Sequence, residues 1–336
     1  MKLRRVWDGA RPVVQIGTPT GWVAAARAIG TLSPALSETD SSRFSSDAVA
    51  LLGAPDAQRR QLMDAAATLV PDPDAARVLT PFEPKSFRDF MFYERHAIDA
   101  ARGFVRRFMP WVWPLVRAYE ATIGAPFPPL RPHKLWARQP IYYMGNHLSF
   151  SPDGAALAVP SYTQALDYEL ELGFVLARGL YNATPDEAEA AIGGFVVVND
   201  FSARDIQAAE MRSGFGPQKS KHFRNGISAT VVSADEILPR WRDLKGFVRI
   251  NGDLVGEVST AGARWSLGEA LAHASRSEPL QAGELFATGT LPGGSGIETF
   301  HLKPGRLLSA GDTIEIGIEG VGTITTPIIT EDARPS

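Results

Sequence analysis

Residues 166–175 read Leu166-Asp167-Tyr168-Glu169-Leu170-Glu171-Leu172-Gly173-Phe174-Val175, with acidic and apolar side chains alternating through the first seven. A period of two marks a β-strand, whose successive side chains point to opposite faces. Asp167, Glu169 and Glu171 therefore share one face, and Tyr168, Leu170 and Leu172 the other. Like charges along one strand face repel unless water or a cation neutralises them. Two readings follow: an exposed strand whose charges only solubilise, or one wall of a cation site.

Working outward, the same patterning predicts strands at 166–177, 193–198, 246–250, 284–288 and 313–319, with helices at 87–108 and 185–191. Many short strands separated by Gly-rich turns indicate a β-rich α+β fold, not alternating βαβ units. Residues 1–75 read as a smaller N-terminal unit. It ends in a helix near 57–70, which Pro71-Asp72-Pro73-Asp74 stops because proline lacks the amide proton and restricts its predecessor. The division is thus 1–75 for packing or dimerisation and 76–336 for chemistry.

Composition narrows the chemistry. The 336 residues carry 34 Lys+Arg against 37 Asp+Glu, six His and no Cys. Without cysteine there are no disulfides, thiolate zinc sites, iron–sulfur clusters or cysteine nucleophiles. The near-neutral balance gives no footprint for nucleic acid. The basic start lacks the apolar stretch of a signal peptide, and no apolar run reaches the roughly 20 residues of a membrane span. The expectation is a cytoplasmic protein that binds neither membrane nor nucleic acid. Gly293-Gly294-Ser295-Gly296 lacks the lysine of a phosphate-binding loop, and no G-x-S-x-G or H-E-x-x-H occurs. Carboxylate chemistry survives.

Two further segments carry it. In Val196-Val197-Val198-Asn199-Asp200-Phe201-Ser202-Ala203-Arg204-Asp205-Ile206-Gln207 an apolar strand delivers Asp200 at its end, with Ser202 a candidate helix cap. In Phe87-Arg88-Asp89-Phe90-Met91-Phe92-Tyr93-Glu94-Arg95-His96 the acid and the histidine stand seven apart, on one side if the segment is helical. Residues 102–138 hold seven Lys/Arg and one acid with interleaved tryptophans. This stretch reads as a helix–loop cover whose charges attract a small anion.

These segments in order, with Gly216-Pro217, Lys221, Gly289-Thr290 and Glu298, resemble the fumarylacetoacetate hydrolase family from about Pro81 to Ile328. The resemblance implies a mixed β-sandwich roll as the C-terminal catalytic domain and a homodimer. It implies Asp89, Glu169, Glu171 and Asp200 as ligands of Mg²⁺ (Ca²⁺ or Mn²⁺ being alternatives), a choice that suits hard cations and a thiolate-free chain. It further implies His96 as the residue activating water, Glu298 as its orienting carboxylate and Lys221 as a stabiliser of developing charge, with Lys219 a second alignment for that lysine. Tyr143, Arg204, Gln207 and Thr290 would line the substrate pocket. The implied activity is hydrolysis of a carbon–carbon bond in a small anionic 1,3-dicarbonyl acid, an acylpyruvate or fumarylacetoacetate-like compound. Decarboxylation, isomerisation or hydration of a 2-oxo acid on the same site, and a silent metal-dependent binding protein, are the rivals. Met91, Met144, Asn146 and Arg224-Asn225-Gly226 depart from fumarylacetoacetases proper, which turns the expectation away from fumarylacetoacetate itself. Of the other histidines, His133, His147, His222, His273 and His301, none has a proposed task.

Overall fold

The computed structural model describes residues 1–32, 36–74, 77–300 and 305–331. His301 and the 75/76 division lie outside the described residues. Two sheets dominate. The larger has eleven strands, and the main path across it runs Gly21–Ala24, Pro12–Thr18, Lys2–Trp7, Thr230–Ser233, Ile192–Asp200, Glu169–Leu176, Leu285–Ser295, Phe87–Phe90 and Tyr142–Gly145. The smaller has five: Asp253–Ser259, Lys245–Ile250, Thr313–Ile318, Gly322–Ile329 and Leu157–Ala158. With helices on both sides of this frame, the fold is the expected β-rich α+β roll. Among the described residues no helix is long and apolar enough to cross a membrane.

The two-residue period explains where the cores lie. Leu170, Leu172, Phe174 and Leu176 face one core, shared with Val248, Ile316 and Ile324 of the smaller sheet. Val175, Val196, Val198, Phe87 and Leu285 face the other, which Val14, Ile16, Leu51, Leu52 and Leu62 of the N-terminal residues complete. The described residues before 75 thus continue the large sheet through Lys2–Trp7, which pairs antiparallel with Thr230–Ser233, and their helices pack into the core on its second face.

Further up that same face, the side chains change from apolar to charged. Glu169 and Glu171 keep the parity of Val175, Asp200 that of Val198, and Asp89 that of Phe87. Strand direction gathers them. Glu169–Leu176 runs antiparallel to both neighbours, so its first residues meet the last residues of Ile192–Asp200. Phe87–Phe90 runs parallel to Leu285–Ser295 and brings Asp89 opposite Ala287. All four carboxylates reach one end of the sheet. They are buried, which overturns the reading of an exposed solubilising strand.

Three local expectations change. The helix expected over 87–108 begins at Glu94 and ends at Phe108; Phe87–Phe90 is a strand whose backbone is claimed by Leu285–Ser295 and Tyr142–Gly145. The strand expected at 166–177 breaks at Tyr168 into Leu166–Asp167 and Glu169–Leu176. Ser202 does not cap the helix Arg204–Arg212; its hydroxyl donates to the Asp200 carbonyl instead.

Candidate metal centre and its cavity

Asp89, Glu169, Glu171 and Asp200 each present an oxygen within 4.8 Å of the others. Burial is the first cause that lifts the Asp89 carboxyl well above the ordinary range, and the charge of Asp200 adds to it. Glu171 is lifted by burial, then by Asp89 and Asp200. Asp200 is raised by burial against the opposing pull of Lys221. Glu169 goes the other way. Burial would raise it, but Lys221 and Arg204 outweigh burial and hold it well below the carboxylate range.

A divalent cation fits this donor set. Asp89 Oδ1 and Glu171 Oε2 are buried without a hydrogen-bond partner, a costly state for a carboxylate oxygen. Asp89, Asp167, Glu169, Glu171, Asp200 and Glu298 are all buried here against Arg204 and Lys221, which leaves negative charge uncompensated. The donors are all oxygen, the set that hard cations take.

The surrounding groups are tightly tied. Lys221 Nζ pairs with Glu169 and lies 2.5 Å from Asp200 Oδ2, whereas Lys219 lies over the Tyr162 ring at 5.2 Å, away from the cluster. Tyr143 donates to Asp200 Oδ2 at 2.6 Å and Thr290 Oγ1 to Glu171 Oε1 at 3.3 Å, so both touch the carboxylates as well as lining the cavity. Arg204 Nη1 lies 2.7 Å from Glu169 Oε1 and donates to Gln207 Oε1 at 3.0 Å. Its Nη2 is buried without a hydrogen-bond partner.

His96 stands on the first turn of the helix Glu94–Phe108, with Nδ1 3.2 Å from Glu298 Oε2. The distance is that of an ion pair, although Nδ1 is off the line a good hydrogen bond needs. Burial lowers the tendency of His96 to hold a proton, but Glu298 and, more weakly, Glu169 outweigh it and raise the pKa above 6.5. Glu298 is aimed by backbone: Oε1 accepts from Gly293 N at 3.1 Å, and Oε2 accepts from Ser295 N at 3.1 Å.

Two glycines permit this contact. A Cβ on Gly103 would stand 1.8 Å from the Ile297 carbonyl, so only glycine lets the His96 helix lie against the Glu298 turn. A Cβ on Gly296 would stand 2.5 Å from Asp167 Oδ1, whose carboxylate accepts from Gly296 N (2.9 Å) and Ile297 N (3.0 Å). We expect Gly103→Ala to lower thermal stability by about 1–3 kcal/mol, the usual overpacking cost, and to cut turnover by separating His96 from Glu298. Calorimetry and steady-state kinetics check it; unchanged turnover would disprove the positioning role.

Asp167 and Asn225 have supporting roles that the sequence reading missed. Asp167 falls on the carboxylate face by parity but is consumed by Arg204 Nε at 2.7 Å and by the two amides. With its amide turned to suit its neighbours, Asn225 donates to Asp200 Oδ1 at 2.9 Å. The only sequence signal for Asp167 was its place in the alternation, and for Asn225 its place in the Arg224-Asn225-Gly226 triplet that departs from the family pattern.

Asp89, His96, Tyr143, Glu169, Arg204, Gln207, Lys221 and Thr290 line one cavity of about 640 Å³. No Lys or Arg of residues 102–138 lines it. The cover instead contributes Phe104, Val105, Met109 and Leu130, and its Arg102 is spent on Glu120 and Asp99. The expected basic lid for an anion is therefore corrected to an apolar wall.

The protonation of the four carboxyls in the metal-free protein has a measurable consequence. Carboxyls with folded pKa values raised above the ordinary 3.8 and 4.5 stabilise the fold fully below those values and lose that contribution as pH rises through the raised ones. In EDTA the melting temperature should fall as pH climbs from the carboxyl range toward neutrality. Added Mg²⁺ or Mn²⁺ should restore it and release protons on binding. A flat melting profile in EDTA would contradict the clustering.

A β-rich roll that buries four clustered carboxylates beside a histidine–glutamate pair defines a class: proteins with an acidic cluster able to hold a metal ion at one end of a cavity. The chain belongs to the fumarylacetoacetate hydrolase family, because the family model described as fumarylacetoacetate (FAA) hydrolase C-terminal matches residues 129–329, more than half its length. Asp89 and His96 precede that match, and the fold alone brings them to the others. The oxaloacetate tautomerase FAHD1, mitochondrial, of Homo sapiens is 27% identical over 187 residues, 56% of this chain and 80% of that protein. Among solved structures, a fumarylacetoacetate hydrolase from Exiguobacterium antarcticum superposes with a TM-score of 0.69 at 21% identity, covering 98% of this chain and 100% of that one. A 2-hydroxyhepta-2,4-diene-1,7-dioate isomerase from Mycobacterium marinum gives 0.59 at 17% identity, covering 99% and 100%. Relatives of this fold thus carry hydrolase, isomerase and tautomerase names.

Proposed function

We propose that the protein is a Mg²⁺- or Mn²⁺-dependent hydrolase that cleaves a carbon–carbon bond in a small 1,3-dicarbonyl acid. The observation that supports this most is His96: it lines the same cavity as Asp89 and Glu169 while its Nδ1 faces Glu298 at 3.2 Å. Asp89, Glu169, Glu171 and Asp200 would hold the cation, which supplies Lewis-acid polarisation of the dicarbonyl when bound. Neutral His96 takes a proton from water through its other ring nitrogen as the hydroxide adds to the carbonyl carbon, and Glu298 stabilises the imidazolium that results. The proton passes to the enolate carbon once the carbon–carbon bond has broken. Arg204, which lines the cavity, would receive the substrate carboxylate in a charge-assisted contact. Lys221 would stabilise the enolate charge left as the bond breaks.

A second reading is favoured by one finding: several curated relatives are named oxaloacetate tautomerases. Tautomerisation moves a proton between carbon and oxygen and consumes no water. An ultraviolet assay across acetylpyruvate, longer acylpyruvates, fumarylpyruvate and oxaloacetate, with and without EDTA, separates the two. Hydrolysis predicts loss of diketone-enolate absorbance with stoichiometric release of two acids, abolished by EDTA. Enol–keto interconversion of oxaloacetate without any cleavage product would overturn it.

A further inference from the structure

The cavity has two chemically different halves. At one end Asp89, Glu169, Arg204, Lys221 and His96 concentrate charge. From His96 the wall follows one face of the helix Glu94–Phe108 through Ala97, Ala100, Ala101, Phe104 and Val105. These residues recur at three- and four-residue spacing and so form a stripe. A helix rises about 1.5 Å per residue, which carries Phe104 roughly 12 Å along the axis beyond His96. Three alanines leave this stretch open, and Leu130, Ile141 and Met211 add apolar lining to the same cavity from other elements.

We propose that the substrate carries an apolar tail, aliphatic or aryl, on the side away from its acidic head, and that this stripe is the specificity-determining surface for it. The inference rests on the reading of an acidic dicarbonyl head at the carboxylate end. A tail ending in a second carboxylate would have to pass an uncharged wall. Among the described residues that line that end, the one cation is Arg212, exposed at the rim with its Nε donating to the Ala208 carbonyl. Burying a carboxylate along alanine and phenylalanine costs far more than burying methylenes, which is favourable.

Calorimetric titration of the Mn²⁺-loaded protein with straight-chain 2-oxo acids tests this without turnover, since these lack a 1,3-dicarbonyl to cleave. From 2-oxobutanoate to 2-oxodecanoate we expect affinity to rise about two- to fourfold per methylene until the stripe is filled, and a 2-oxo diacid of equal length to bind more weakly. Ala100→Phe should reduce the ratio of longest- to shortest-chain affinity at least tenfold. Ala101→Leu repeats the test if the first variant fails to melt cooperatively. A flat chain-length series, or a diacid that binds best and loses affinity in Arg212→Gln, would overturn the proposal. Chain-length-dependent binding with no cleavage of any acylpyruvate would sink the hydrolase reading and leave this one standing.

Discussion

Glu171→Gln is expected to move two observables in opposite directions. The metal-free variant should melt at a higher temperature than metal-free wild type. At the same time its affinity for Mg²⁺ or Mn²⁺ should fall by more than the roughly 100-fold typical of removing an outer-shell partner. Both effects share one cause. Glu171 is fully buried on a central strand, and burial, then Asp89 and Asp200, raise its pKa well above the ordinary value. In the absence of a cation its negative charge opposes folding; with one bound, that charge is what the cation requires. The amide keeps size and removes charge, so a packing effect is controlled. Differential scanning calorimetry in EDTA and titration with Mn²⁺ give the two numbers. A variant less stable than wild type in EDTA would mean that the carboxylates are balanced by their neighbours and that no cation is required.

His96→Ala is expected to lower kcat for carbon–carbon cleavage by about 10²–10⁴, the range for losing a general base, with Mn²⁺ affinity close to wild type. The selectivity of the loss matters as much as its size. Decarboxylation or enol–keto exchange at a polarised 2-oxo acid does not need activated water, so retained turnover there with lost cleavage supports the hydrolase reading. Near-full turnover of the natural substrate by the variant would refute it. The pH profile gives a second check. Glu298 and Glu169 outweigh the opposing effect of burial and raise the His96 pKa above 6.5. The neutral base is therefore gained only as pH rises through a value above the ordinary one, and the acid limb of kcat/KM in wild type should lie there. Glu298→Gln should move that limb down, because the charge that holds the proton is gone. A limb that stays put would assign it to another group.

Much of the fold was readable because its determinants are local. The alternation from Leu166 to Leu172 announced a strand with a charged face, and that parity holds through Glu169–Leu176. Phe87–Phe90 was misread as helix because its flanking residues suit either state; pairing with Leu285–Ser295 and Tyr142–Gly145 decided it. The basic count over residues 102–138 suggested an anion trap. Composition cannot say which side of an amphipathic helix turns inward, and the apolar side does.

The cysteine-free composition and the three acidic segments, by themselves, left carboxylate chemistry in a β-rich frame, and the hard cation entered only with the resemblance to the family. Periodicity carries such information because each residue's face follows from its neighbours along the chain. That Asp89 stands within a few ångströms of Glu171, that Lys221 and not Lys219 enters the cluster, and that the cavity continues into an apolar gutter were decided only by tertiary structure. Those facts depend on strand order, on the antiparallel run of Glu169–Leu176 between its neighbours, and on the close approach that Gly103 allows. All three are contacts between segments far apart in sequence, which no local pattern encodes.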